Sequence, residues 1–217
     1  MKKIIVLVSI CLINIISYSQ EKFNEGILLS KTIMSSDNAQ VSAQFESLGD
    51  LQAITYVKDG KSRGEVSNPL TGDVVTITNE EEILILMSIP GAGKVYQKQS
   101  LELAEETLES INLTKGVKTK TILGYVCDQY TVTLNQQGIE MEMELFTTDK
   151  IPNAVSQQTA ILGNQLKGFP LFMTIKMNQF GSNLIITNEV VDIKKESVSD
   201  DKFKMIIPEG YEKLPGQ

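Results

Sequence analysis

Histidine is absent from all 217 residues, which removes the commonest general base and most zinc sites. Cysteine is nearly absent. Of the two present, Cys11 lies in an N-terminal apolar run and only Cys127 lies beyond it. One cysteine cannot close an internal bridge, so stability has to come from packing. Positive charge is also short, with 20 Lys and Arg against 27 Asp and Glu. That balance repels phosphate backbones and anionic headgroups, which argues against a nucleic-acid partner. Beyond the first run, no stretch is long and apolar enough to cross a bilayer.

The first run itself reads as an export signal. Met1, Lys2 and Lys3 precede an apolar segment from Ile4 to Ile16 that is broken only by Ser9, Cys11 and Asn14. It closes on Ser17-Tyr18-Ser19, which places small residues where a signal peptidase inspects the chain and predicts cleavage before Gln20. The alternative, a retained anchor, needs about 20 apolar residues to span the hydrocarbon, more than this run supplies. Lipid attachment at Cys11 is disfavoured because Ile10 stands where that processing needs a small residue. Losing Lys2 and Lys3 with residues 1–19 deepens the net charge from −7 to −9. The expected location is periplasmic or extracellular.

A hydrophobic content of 41% is that of a globular chain, and residues 20–217 suit one domain with one core. Alternation predicts strands over 23–32, 51–57, 61–67, 74–78, 82–88, 94–99, 117–122, 127–134, 139–147, 169–178 and 184–194. Asp59-Gly60 supplies a tight hairpin turn. Ile83-Leu84-Ile85-Leu86-Met87 is apolar on both faces, which predicts cover on both sides of that strand, by a helix on one of them. Residues 37–48 read as irregular or weakly helical, 101–111 as a helix with acids in its early turns, and 153–166 as a second helix. The end, 203–211, reads as an extended tail. Many strands, few helices and short polar turns predict an α+β, mainly β fold on a largely antiparallel sheet.

Catalytic and metal motifs fail on their chemistry. Ser88-Ile89-Pro90-Gly91-Ala92-Gly93-Lys94-Val95 lacks the first glycine of a phosphate-binding loop and the hydroxyl that holds Mg²⁺, and reads as a hairpin turn. Glu140, Glu142 and Glu144 alternate with Met141, Met143 and Leu145. They form a solvated strand face, not two acids opposed across a cleft, and no loop of Asp and Asn supports calcium. Cys127 reads as a small buried hydrophobe, since a nucleophile would need a partner the chain lacks. The expectation is therefore a protein that is not an enzyme, with no cofactor and no metal.

Methionine placement is more suggestive. Met141 and Met143 share one strand face, and Leu171, Met173, Ile175 and Met177 share another. Flexible thioethers fill irregular cores, and on a curved sheet the same residues would line an apolar cavity. Met141, Met143, Met173 and Phe169 are the candidate ligand-binding residues.

Five segments in order resemble an exported family of Bacteroidota, domain of unknown function 4412. They are Tyr56-Val57-Lys58-Asp59-Gly60-Lys61-Ser62-Arg63, Thr119-Lys120-Thr121-Ile122-Leu123-Gly124-Tyr125-Val126-Cys127, Phe146-Thr147-Thr148-Asp149, Lys167-Gly168-Phe169-Pro170-Leu171 and Phe203-Lys204-Met205-Ile206-Ile207-Pro208-Glu209-Gly210-Tyr211. The resemblance implies a lipoprotein-carrier-like fold: a curved antiparallel sheet, an open half-barrel, with a few helices packed on its concave face. It brings no activity and no catalytic residues. The expected partner is a lipid, an acyl chain or a lipidated protein. The competing expectation is an interaction module that binds another envelope protein through sheet edges or the C-terminal tail.

Overall fold

A computed structural model describes residues 22–68, 70–136, 138–151, 159–163, 165–179 and 181–214. The expected leader lies outside these residues, as does half of the expected helix over 153–166. The first hairpin forms where Asp-Gly predicts it: Asp59 and Gly60 take φ of 47° and 79° between β2 (Leu51–Lys58) and β3 (Lys61–Asn68), the positive values a two-residue turn needs. Side-chain turns close the next two connections. Asn68 Oδ1 accepts from Leu70 and Thr71 N–H before β4 (Gly72–Thr78), and Asn79 Oδ1 accepts from Glu81 and Glu82 N–H before β5 (Glu82–Ile89).

With β1 (Glu25–Ser36), α1 (Ala39–Leu48), β6 (Gly93–Ser100), α2 (Glu105–Glu109), β7 (Ile111–Ile122), β8 (Tyr125–Gln136), β9 (Ile139–Thr148), β10 (Phe169–Gln179), β11 (Ser182–Lys194) and β12 (Glu212–Lys213), the strands form one sheet. Its order is β12-β6-β5-β4-β3-β2-β1-β11-β10-β9-β8-β7. Every pairing is antiparallel except the short β12 on β6. The fold is α+β and mainly β. No helix among the described residues is long and apolar enough to cross a membrane.

The sheet is strongly curved, and one short turn demonstrates it. Ala160 and Leu162 share a 3-10 turn. Ala160 packs with Ile83 and Ile85 of β5, while Leu162 packs with the cluster of Met143 on β9 and Met173 and Ile175 on β10. Six strand spacings separate β5 from β10, about 29 Å along a flat sheet, far beyond the reach of residues two apart. The sheet therefore bends around Ala160, Leu162 and Leu166, which cover its concave face together with Leu101. Gly163 marks how closely these two covers approach: a Cβ there would stand 2.6 Å from the Leu101 carbonyl oxygen.

The two-faced apolar strand β5 is covered on both sides. Ile83 and Ile85 meet the concave cover, and Leu84 and Leu86 meet Met205 and Tyr211 of the C-terminal segment. That second cover is an extended strap, not a helix. It leaves a 3-10 turn (Asp200–Phe203), crosses the convex face and ends as β12 on the β6 edge, where Leu214 N–H donates to Tyr96 O at 2.8 Å. The expected helix over 101–111 shortens to the five residues of α2. Leu101, 2% exposed, is drawn inward to plug the concave face and its N–H donates to Glu81 O, so packing overrides local propensity. Residues 37–48 resolve into the capped helix α1, with Asn38 Oδ1 accepting from Gln40 N–H at 2.9 Å.

Candidate functional site

Directly paired residues share a face, so the registers sort the sheet into two surfaces. On the concave side lie Met141, Met143 and Leu145 of β9 opposite Met177, Ile175 and Met173 of β10, and Met173 is opposite Asn188 of β11. Asn188 is opposite Thr32, which begins a run of small residues on that face: Ser30 and Thr32 on β1, Ala53 and Thr55 on β2, Ser62 and Gly64 on β3, Thr76 and Thr78 on β4. Beyond them the face turns apolar again at Ile83, Ile85 and Met87 of β5.

The concave face is thus a floor of mainly small side chains, several of them hydroxyl-bearing and interspersed with Leu28, Val57, Val66 and Val74, between two apolar walls. Both walls are buried under the cover. The floor is only partly covered: Ser30, Ala53, Thr55, Gly64, Val66 and Asn188 are half-buried. Two hydrogen bonds order it, Asn188 Nδ2 donating to Thr32 Oγ1 at 2.7 Å and a Ser62–Thr78 hydroxyl pair at 2.5 Å. Gly64 sits at its centre. A Cβ built there meets only Thr55 Oγ1, at 4.0 Å, and its backbone is outside the left-handed region. The chain therefore does not need glycine here for its conformation. Glycines inside strands often mark a bulge, a tight bend or a place where a ligand or another backbone comes close.

The structure distributes the four sequence candidates unevenly. Met143 and Met173 are buried together against Leu162 and Leu166, with Met141 half-buried at the margin of the same cluster. Phe169 lies in a different core, with Cys127, Phe146 and Leu171. A register shift between Pro170 and Phe172 interrupts β10 just there, so simple alternation does not carry Phe169 onto the methionine face. The half-buried floor was not among the candidates. Its signal was present as small residues at alternate positions of four neighbouring strands, but it becomes visible only once the strands are set side by side.

Glu140, Glu142 and Glu144 lie on the convex face, where Glu144 accepts from Gln129 Nε2 at 2.6 Å. Cys127 is fully buried, and desolvation, with the neighbouring Asp128 carboxylate adding to it, pushes its thiol up to about 11. A thiol so placed is protonated and inert at neutral pH. A pocket of about 780 Å³ opens beside Leu101, lined by Leu103, Leu108 and Gln165 and by four glutamates, Glu80, Glu81, Glu82 and Glu102.

No family model matches the chain, and no curated protein matches it. Among solved structures, PNGF-II in two crystal forms is similar at 14% and 15% identity, with TM-scores of 0.46 and 0.48 over 88% and 87% of this chain. This chain spans about a third of PNGF-II's length, 31% and 32% in the two forms. The lipoprotein LppX of Mycobacterium tuberculosis is similar at 10% identity and a TM-score of 0.30, over 79% of this chain and 90% of LppX. These likenesses are distant, and the fold and face assignments rest on the strand pairing of the chain itself.

Proposed function

We propose that this chain is a non-enzymatic exported protein that holds a lipid, an acyl chain or the acyl group of a lipidated partner in the trough of its concave face. The observation that carries the reading is Gly64, the centre of a half-buried floor between two apolar walls, where glycine keeps space that the backbone does not require. The leader read at 1–19 supports export, with Gln20 as the first residue of the mature chain, and the resemblance of the ordered motifs to domain of unknown function 4412 supports an envelope setting, though no family model matches. The interaction-module reading is weaker, because the tail it would use lies on its own convex face and β6 edge.

The test is native mass spectrometry of the protein purified from its own envelope, joined to displacement of a fluorescent acyl probe. Co-purifying lipid and saturable displacement are expected, with Gly64→Val weakening displacement at least tenfold by filling the trough. Absence of lipid and of any displacement overturns the proposal.

A further inference from the structure

The trough is free of charge over most of the sheet. From β6 through β5, β4, β3, β2, β1, β11 and β10 to β9, the registers place no Asp, Glu, Lys or Arg on the concave face. The chain carries 20 bases and 27 acids, and on these nine strands their charges fall on the convex side or at strand ends. The first charges met on the concave side are Lys115 on β7 and Asp128 on β8, which pair with each other at 2.6 Å. A carboxylate or phosphate brought onto the floor would lose its water and gain no counter-charge, a penalty that drives such a group to bind protonated or not at all.

What the floor offers instead is hydrogen bonding. Thr55 stands directly opposite Gly64, with Leu28 beyond it, while Ser30 and Asn188 lie farther along the floor on β1 and β11; the three polar residues are half-buried, and hydroxyl and amide groups both donate and accept.

Resting on the ligand-binding reading above, we infer that the ligand bears an uncharged hydrogen-bonding polar group, an acyl ester, acyl amide or long-chain alcohol, and that the trough rejects fatty-acid anions. The ester carbonyl lies over Gly64, where the missing side chain admits it, within reach of the Thr55 hydroxyl, while the chain runs along the apolar walls.

The experiment compares cis-parinaric acid with its methyl ester at pH 8, by probe fluorescence, on full-length mature protein; the chain contains no tryptophan to interfere. The ester is expected to bind at least tenfold more tightly than the anion, with the gap closing as pH falls through the carboxyl's titration range. Thr55→Val is expected to weaken the ester severalfold. Gly64→Val is expected to abolish binding of both probes while circular dichroism stays that of the parent. Equal or tighter binding of the anion at pH 8 overturns this inference and leaves ligand binding standing. Ester binding unaffected by Gly64→Val also overturns it, because the site then lies elsewhere. Binding of neither probe removes the ligand-binding reading itself.

Discussion

Gly64 and Cys127 are single residues whose surroundings decide their meaning. Glycine in a strand interior costs about 0.5–1 kcal/mol relative to alanine, and valine suits a strand better than either. Because a Cβ at 64 meets nothing closer than 4.0 Å, Gly64→Val is expected to raise unfolding stability by about 1 kcal/mol, measured by urea denaturation, while ligand affinity falls. A substitution that destabilised the fold would show that the space is occupied by the chain. Cys127 gives a pH signature. Its thiol titrates near 9 unfolded and at about 11 when buried, so between those values the unfolded chain releases a proton that the folded chain keeps. Stability is expected to fall as pH rises from 9 toward 11, and Cys127→Ala to remove that part of the slope in denaturation curves. Below pH 8, Ellman's reagent should label the native thiol only after denaturant is added. The burial of Cys127 was legible from its place in an apolar strand. Gly64 was not, because Lys61-Ser62-Arg63-Gly64-Glu65 reads as a polar edge until pairing places Ser62 and Gly64 opposite Val57 and Thr55.

Among the elements, the C-terminal strap is held to the sheet by a small charged knot. Lys58 Nζ on β2 stands 3.0 Å from Asp200 and 3.3 Å from Glu25, and donates to the Val198 carbonyl at 3.1 Å. The Val198 N–H, then the Lys58 ammonium, hold the Glu25 carboxyl below its usual range, and the hydrogen bond from Lys58 does the same for Asp200. Lowered carboxyls give stability that is present above their ordinary values and is lost as pH falls through the lowered ones. The strap is therefore expected to loosen in acid before the sheet melts. Hydrogen exchange at Val198 N–H checks this: its protection, relative to the free-peptide rate at the same pH, should fall below about pH 4, the ordinary carboxyl range, and Lys58→Met should lower the same protection at neutral pH. Unchanged protection in the variant would place the anchor at Phe203 and Met205 alone. The strand positions were largely legible because alternation and turn residues agree along most of the chain, while the pairing of β1 with β11 was not. The strap was only half legible. Leu84 and Leu86 announced that something covers β5, but an extended segment and a helix bury a strand face equally well, and periodicity within β5 carries no information about the shape of its cover.

For the whole molecule, curvature is what gives the sheet a concave face, and it is the property alternation least reveals. Period two tells which residues face inward. Whether the inward face closes on its own cover or on a ligand depends on sheet bend and on the 159–166 segment, whose Leu162 and Leu166 plug the methionine wall. Met143 and Met173 are thus inward as expected, yet filled by the chain itself. An acyl chain that runs along this wall has to displace Leu162, so cover and ligand compete for one surface. Leu162→Ala removes a fully buried side chain and is expected to cost the unliganded protein about 2–4 kcal/mol. The same truncation lowers the work of lifting the cover, and apparent affinity rises with the fraction of molecules open to ligand. The variant should therefore unfold earlier alone and bind the methyl parinarate probe more tightly, recovering part of its lost melting temperature when ligand is added. Opposite signs in stability and affinity mark the methionine wall as ligand surface beneath a displaceable cover. If both fall together, the 159–166 segment is permanent core and the ligand is confined to the small-residue floor around Gly64.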